Sequence, residues 1–166
     1  MSAPPQISSS VPDWTREETK PRSWNPSRAL LRSIRDYQNA QGQLATMRRK
    51  IAVLRHRLWS VVTGADIPIN AAIGGGLLIP HPNGIVIHPH AKIGCNCLIF
   101  QQVTIGATSK GIPTIGGHVD IGAGAKIIGP VHVGDHARIG ANAVVREDVP
   151  AHGVFVAAAG TLLDIE

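Results

Sequence analysis

The sequence predicts a mainly β protein: a parallel β-helix of six-residue repeats that follows a short α-helical hairpin. Over about half of the chain an aliphatic residue recurs every six positions, and a stretch of helical spacing precedes these repeats. Aromatic residues make up only 4% of the chain, whereas 18 glycines are present. This composition suits a flat, regular core rather than one filled by large side chains.

The helical hairpin is expected just before the repeats. Asn25-Pro26-Ser27 offers a cap and a first-turn proline, and apolar residues from Ala29 to Tyr37 follow at helical spacing. A second helix is expected from Leu44 to Thr63, with Gly64 closing it. We therefore expect two short helices connected by a turn.

The six-residue repeat predicts the architecture of the remaining chain. Its aliphatic positions are Ile67, Ile73, Ile79, Ile85, Ile93, Ile99, Ile105, Ile115, Ile121, Ile127, Val133, Ile139 and Val145. Neither an α-helix nor simple alternation has this period, so three short strands should close one triangular coil of roughly 18 residues. About four coils fit between Ile67 and Val149.

The repeat is interrupted twice. Two extra residues precede Ile93, which places an insertion within residues 88–92, and four more precede Ile115, within residues 108–114. Insertions in repeat proteins form loops on one face, often the binding face. These two loops are therefore candidates for contact with a ligand.

These patterns divide the chain into four segments. Residues 1–26 are expected to be a flexible Pro-rich tail, because their prolines and polar residues bury little apolar area, with docking at Trp14 and Trp24 as the alternative. Residues 27–64 form the helical hairpin, residues 65–150 the β-helix and residues 151–166 a C-terminal tail. Cys97 occupies an inward position, Cys95 should point outward, and no ordinary disulfide can join them.

The formal charge of +5 is concentrated in the second predicted helix. Its cations are Arg48, Arg49, Lys50, Arg55 and Arg57. Such a patch is most often a solvated helix face, and no nucleic-acid partner is predicted. We see no spanning segment or signal peptide and expect a cytoplasmic protein, with contact between the basic helix and the inner face of the membrane as a further hypothesis.

Four stretches of the β-helical region resemble a known family. They are Ala65-Asp66-Ile67, His81-Pro82-Asn83-Gly84-Ile85-Val86-Ile87, Gln101-Gln102-Val103-Thr104-Ile105-Gly106 and Ile121-Gly122-Ala123-Gly124-Ala125-Lys126. Between Ala65 and about Pro150 the chain is similar to the hexapeptide-repeat acyltransferases, in the branch that holds serine acetyltransferase and related sugar O-acetyltransferases. The resemblance implies left-handed coils, against the usual right-handed crossover rule.

The resemblance also implies catalytic residues. Transfer of an acetyl group to a hydroxyl needs a base, because an alcohol does not ionise at neutral pH. His81 matches the family's catalytic histidine. Asp66 lies fifteen residues earlier, close to one coil, so we expect it nearly beneath His81, where it would orient the imidazole. The alternative for Asp66 is a structural cap at the entry to the first coil.

Acetyl-CoA is the co-substrate that the resemblance implies, bound in a groove between neighbouring subunits. The backbone N–H of Gly106 or Ala107 would hold the oxyanion, and Ala107, Ala123 and Ala141 would pair with the pantetheine. Arg138 or Arg146 would meet its phosphates. Because the groove needs a neighbour, we expect a homotrimer, without a second trimer attached. No metal is expected, since the histidines beyond His81 are scattered.

Two departures from the family pattern bear on the acceptor. Ile112 replaces a loop histidine, and Pro80 replaces an aspartate before the catalytic histidine. Because a zwitterion such as serine needs charged partners, our main prediction is acetyl transfer to a sugar or polysaccharide precursor. Serine O-acetylation is the alternative. The hypothesis from another functional class is a non-catalytic trimeric β-helix used for binding or assembly, or a carbonic-anhydrase-like relative.

Overall fold

A computed structural model describes residues 7–19 and 23–160. Helix α1 spans Pro26–Gln38 and helix α2 spans Ala45–Thr63. Asn25 caps α1, because its Oδ1 accepts a hydrogen bond from the N–H of Arg28 at 3.2 Å. Gly64 ends α2 in the left-handed conformation, with φ of 65°. The predicted helical hairpin is confirmed.

The two helices differ in how they pack. Helix α1 contributes Leu30, Leu31 and Ile34 to the core, whereas of the apolar side chains of α2 only Ala52 is fully buried. Helix α2 also contacts the core through Trp59. Six of its larger apolar side chains are exposed: Met47, Ile51, Leu54, Leu58, Val61 and Val62.

Twelve short strands follow the helices among the described residues. They are β1 (Ala72–Ile73), β2 (Val86–Ile87), β3 (Lys92–Ile93), β4 (Leu98–Ile99), β5 (Thr104–Gly106), β6 (Thr114–Ile115), β7 (Asp120–Ile121), β8 (Lys126–Ile128), β9 (His132–Val133), β10 (Arg138–Ile139), β11 (Val144–Val145) and β12 (Val154–Phe155). They form three parallel sheets with the orders β1-β3-β6-β9, β12-β10-β7-β4 and β11-β8-β5-β2. These sheets are the three sides of a left-handed β-helix, which confirms the predicted fold class.

The inward aliphatic residues stack in columns, one on each side of the triangular prism. One column runs through Ile67, Ile87, Ile105, Ile127 and Val145, all at most 2% exposed. The described residues complete five coils, whereas the sequence predicts about four. The fifth arises because Val149 bridges to Val133 and β12 pairs with β10, which brings part of the predicted C-terminal tail into the β-helix.

The first insertion lies at a different turn from the predicted one. Asp66 pairs with Val86 and Ala72 with Lys92, an offset of 20 residues in both cases. The inward residue of β2 is therefore Ile87, and the two extra residues lie between Ile79 and Ile87. Ile85 is also fully buried. Both isoleucines therefore fit an inward position, and the sequence alone does not show which one continues the six-residue repeat. The second insertion lies between Ile105 and Ile115, as predicted.

Part of the proline-rich N-terminal segment lies against the coils. Asn96 is fully buried and bonds to the main chain of Ser8, Val11 and Asp13 at distances between 2.7 and 2.8 Å. Trp14 begins a 3-10 turn, Trp14–Glu17, which lies over Gly75. The predicted flexible tail therefore includes a segment, residues 7–19, that is hydrogen-bonded to the β-helix. Residues 1–6 and 20–22 lie outside the described range.

Candidate active site

His81 lies in the enlarged turn between the first and second coils. Pro80 and Pro82 flank it and restrict the backbone on both sides. The turn is closed by a hydrogen bond from the N–H of Gly84 to the carbonyl of Gly64, at 2.8 Å. The imidazole is exposed, and Phe100 of the next coil lies against it with ring centroids 6.5 Å apart. No pattern in the sequence indicates that Phe100 is a neighbour of His81.

Asp66 lies on the first coil but not beneath His81. Its N–H donates to the carbonyl of Ile85 at 2.8 Å, and its carbonyl accepts from Ile87 at 3.0 Å, so Val86 is the residue above it. The prediction assumed a fifteen-residue coil step, whereas the observed step is 20 because of the insertion at His81. Within residues 7–19 and 23–160, no hydrogen bond or ion pair joins the Asp66 carboxylate to His81.

A surface pocket of about 520 Å³ opens beside His81. Residues 24–27 at the start of α1, residues 62–63 at the end of α2 and residues 80–83 of the enlarged turn line it. The two helix ends are adjacent because α1 and α2 pack side by side. The pocket has the volume of ordinary small-molecule sites. Its lining residues Trp24 and Asn25 lie in the segment predicted to be a tail, so the sequence did not identify them as site residues.

Gly106 and Ala107 lie at the end of β5, where the chain leaves the side formed by β11, β8, β5 and β2. After Ala107 the chain forms a tight loop, in which Thr108 and Gly111 exchange main-chain hydrogen bonds of 2.9 and 3.2 Å. Ile112 then packs against the core, so the position that the family gives to a polar residue is apolar and turned inward.

Ala123 and Ala141 lie on the same corner of the prism as the enlarged turn. Hydrogen bonds connect this corner from coil to coil: Gln102 N–H to Asn83 at 2.9 Å, then Asn142 N–H to Ala123 at 2.8 Å. Ala123 is half-buried and Ala141 is exposed. The corner that holds His81 on the first turn therefore also holds, on later coils, two of the residues predicted to bind acetyl-CoA.

The two predicted phosphate-binding arginines lie apart. Arg146 is at the corner that follows β11, the same corner as Ala107, whereas Arg138 is on the side formed by β12, β10, β7 and β4. Both side chains are exposed. The predicted cofactor residues thus occupy two corners on either side of one sheet, with Arg138 outside that arrangement.

Three histidines that are scattered in the sequence are neighbours in the structure. His118, His136 and His152 occupy successive coils at the third corner of the prism. Nδ1 of His118 lies 2.9 Å from Nδ1 of His136, and the rings of His136 and His152 are nearly parallel, with centroids 4.8 Å apart. Over the residues that are described, no set of three His, Cys, Asp or Glu side chains is arranged to hold a metal ion.

Comparison with known proteins identifies the family. The model of the bacterial transferase hexapeptide (six repeats) matches residues 112–147. The serine acetyltransferase of Mycobacterium tuberculosis is 42% identical over 107 residues, which cover 62% of this chain and 47% of that protein. The serine acetyltransferase of Helicobacter pylori is 44% identical over 112 residues, which cover 65% of this chain and 66% of that protein.

Solved structures show the same similarity. Serine acetyltransferase isoform 3 of Entamoeba histolytica, in complex with cysteine, superposes with a TM-score of 0.72 at 30% identity, over 87% of this chain and 52% of that one. A serine acetyltransferase in complex with CoA gives a TM-score of 0.67 at 32% identity, over 81% of this chain and 55% of that one. The chain spans about half the length of these two structures and of the mycobacterial relative. It shares the bacterial transferase hexapeptide repeat and is similar to the serine acetyltransferase branch of the hexapeptide-repeat acyltransferases.

Proposed function

We propose that the protein is an acetyl-CoA-dependent O-acetyltransferase with His81 as its general base. The observation that carries this proposal is the exposed imidazole of His81 at the edge of a pocket of about 520 Å³. Acetyl-CoA as co-substrate is supported by the serine acetyltransferase relatives, one of which is known in complex with CoA. The loss of a hydroxyl proton during attack is the chemistry that such a histidine can assist.

In the proposed reaction the acceptor hydroxyl attacks the thioester carbonyl of acetyl-CoA. A C–O bond forms while His81 takes the hydroxyl proton, and the N–H of Gly106 or Ala107 of the partner subunit would stabilise the oxyanion, because within one chain these residues lie at the other corner of the sheet from His81. The tetrahedral intermediate then collapses, the C–S bond breaks and His81 returns the proton to the thiolate of CoA. Asp66 stays a candidate positioning residue for the imidazole through the family resemblance alone, since the described residues show no hydrogen bond between the two side chains.

For acetyl-CoA we propose a path along a groove between subunits, where one of these corners meets the other corner of a neighbouring chain. Ala123 and Ala141 would pair with the pantetheine amides along one corner, with Gly106 and Ala107 at the other. Arg146 remains the candidate for contact with the phosphates. Arg138 is the weaker candidate, because it lies on a different side of the prism.

The acceptor has two candidates. L-Serine is supported by the names of the relatives. A sugar or polysaccharide-precursor hydroxyl, our main prediction from the sequence, is favoured by Pro80 and Ile112, which supply no charge where the family pattern has polar residues. The discriminating measurement is thiol release from acetyl-CoA with L-serine or with a panel of nucleotide sugars and oligosaccharides as acceptor.

His81→Ala tests the base itself. We expect it to lower kcat/KM by about 10²-fold or more, since general-base catalysis contributes on this order. His90→Ala is the matched control, because His90 is also exposed but lies at a different turn. Undiminished turnover in His81→Ala would overturn the assignment. Absence of acetyl transfer by the unmodified protein to every acceptor would favour the non-catalytic binding or assembly function instead.

We further propose a peripheral membrane contact through α2. Its outer face presents Leu54 and Leu58, which are 71% and 56% exposed, close to exposed cations. An amphipathic helix of this kind binds anionic lipid surfaces. In the described ranges no helix is long and apolar enough to cross a bilayer. Flotation with vesicles containing phosphatidylserine tests the contact, and failure to float with them would exclude it.

A further inference from the structure

The pocket beside His81 has an aromatic wall. Trp24 lines the pocket and is 77% exposed, which is unusual for so large an apolar side chain. The ring of Trp59 packs against the indole of Trp24, with ring centroids 5.6 Å apart and an angle of 64° between the planes. In this edge-to-face arrangement the neighbour supports the ring of Trp24 without stacking against it face to face. The pocket therefore has a supported but solvent-exposed aromatic surface near the proposed base.

The polar groups of the pocket are neutral. Asn25 uses its Oδ1 to accept from the N–H of Arg28 and from the hydroxyl of Ser27, at 3.2 and 2.9 Å, which leaves its amide N–H groups as donors. Asn83 contributes a second exposed carboxamide on the opposite wall. These groups can donate to and accept from hydroxyls.

Charged side chains are missing from the described lining of this pocket. Apart from His81, the other nine residues that line it are Trp, Asn, Pro, Ser, Val and Thr. A zwitterionic acceptor would lose hydration there, and the described lining offers no charged partner for its carboxylate or its ammonium group. An uncharged ring bearing several hydroxyls would lose little, because each hydroxyl can be matched by a neutral polar group.

We propose that this pocket binds an uncharged polyhydroxylated ring, such as a pyranose, with one face on the indole of Trp24. The weakly polarised C–H bonds of such a ring pack against the electron-rich aromatic face, while the amides of Asn25 and Asn83 bond its hydroxyls. A ring held in this way presents one hydroxyl toward His81. The inference rests on the proposed acetyl transfer and assigns Trp24 as the residue that determines acceptor specificity.

Trp24→Ala and Trp24→Phe test whether the indole of Trp24 binds the acceptor ring, with Trp14→Ala as the matched control. Trp14 is also a half-exposed tryptophan, but it lies over Gly75, away from His81. The probes are the methyl glycosides of glucose, galactose and N-acetylglucosamine, with L-serine for comparison. We expect Trp24→Ala to raise the KM for the accepted glycoside about tenfold or more while the KM for acetyl-CoA stays unchanged, and Trp24→Phe to recover part of the loss. Trp14→Ala should behave as the unmodified protein.

A binding measurement separates failure of this inference from failure of the proposed function. Saturation-transfer NMR on His81→Ala should still detect the glycoside, because the aromatic wall is intact although turnover is lost. Glycoside binding that Trp24→Ala abolishes, without turnover in the unmodified protein, would support the site and overturn the proposed function. Transfer to L-serine at a rate that Trp24→Ala leaves unchanged would overturn the site and support the function. Absence of both binding and transfer would overturn both.

Discussion

Individual residues at the third corner adopt a conformation that few side chains tolerate. His118, His136 and His152 all have positive φ, at 52°, 60° and 62°. The left-handed region costs an ordinary side chain roughly 1–2 kcal/mol, and Asn, Asp and His are enriched there. The repeat therefore favours these residue types at its corners, and the contacts between the three imidazoles follow from their positions on successive coils.

The burial of His118 at this corner predicts that the stability of the protein is sensitive to acid. Burial lowers the pKa of His118 below its ordinary value of 6.5, and His136, Arg16 and Arg138 act in the same direction against an opposing effect of Asp120. Below that value the unfolded chain therefore binds more protons at this residue than the folded protein, so stability should fall as the pH falls. Melting temperatures measured between about pH 7.5 and about pH 5 test this.

His118→Asn is the informative variant for the acid effect. Asparagine tolerates the positive φ but does not titrate, so its melting temperature should fall less steeply with pH than that of the unmodified protein. His90→Asn, at an exposed turn, should keep the full slope. Equal slopes in the His118 variant and the unmodified protein would contradict the assignment.

The two cysteines should differ in reactivity. Cys97 is fully buried, as predicted, and burial raises its pKa to about 11, so it holds almost no thiolate at neutral pH. Cys95 is only half-buried. We expect iodoacetamide to modify Cys95 in the folded protein and Cys97 only after unfolding, as read by peptide mass spectrometry. Equal labelling of both thiols in the folded state would be inconsistent with the inward position of Cys97.

At the scale of elements, the repeat predicts the fold well because it encodes a periodic contact. Each inward Ile or Val contacts the equivalent residue one coil away, so the six-residue period is visible without any knowledge of the structure. The exceptions have local causes. Ile85 and Ile87 are both buried, and the sequence does not indicate which of them belongs to the column. This ambiguity displaced the predicted insertion from the turn of His81, and with it the expected position of Asp66.

The candidate site was predictable only in part for a related reason. Motif residues such as His81 carry a signal because their spacing matches a family. Trp24 lies among prolines and polar residues, and its proximity to His81 depends on how α1 and α2 pack at the start of the β-helix. Contacts between segments distant in sequence produce no periodic pattern in the sequence. The residues that form the wall of the pocket can therefore be identified only from the structure.

The N-terminal segment provides a test at this scale. Asn96 bonds to Ser8, Val11 and Asp13, and it also has positive φ, at 58°. Asn96→Ala should destabilise the protein by about 3 kcal/mol or more, because it loses three hydrogen bonds at roughly 1 kcal/mol each and adds strain. Urea unfolding gives the change in free energy, and hydrogen exchange should show loss of protection at the N–H of Asp13.

Asn142→Ala is the control for backbone strain alone. Asn142 has φ of 57°, is exposed and makes no side-chain hydrogen bond with the described residues. Its substitution should cost only about 1 kcal/mol. If both alanine variants lost the same stability, the hydrogen bonds to the N-terminal segment would contribute nothing measurable.

At the scale of the whole molecule, the arrangement of the corners favours the proposed homotrimer. The side formed by β11, β8, β5 and β2 has His81 and Ala123 at one corner and Ala107 at the other. Its outward residues include Val86 and Val144, which are 41% and 56% exposed. A neighbouring chain packed on this side would cover these apolar residues and convert both corners into grooves between subunits, which is where a bound acetyl-CoA would gain contacts from two chains.

Val144→Glu should therefore disrupt assembly without unfolding the coil, because Val144 points away from the core. Burial of a carboxylate at the interface would cost desolvation that the neighbouring Lys126, in register with residue 144 on β8, offsets only in part, so sedimentation velocity should show a mass below three times that of one chain. Acetyl transfer should be lost with the assembly, since the groove would be incomplete. Val154→Glu is the matched control: Val154 is 67% exposed on a different side of the prism, and its variant should remain trimeric and active. A Val144→Glu protein that stayed trimeric and active would show that the subunits associate through another side of the prism.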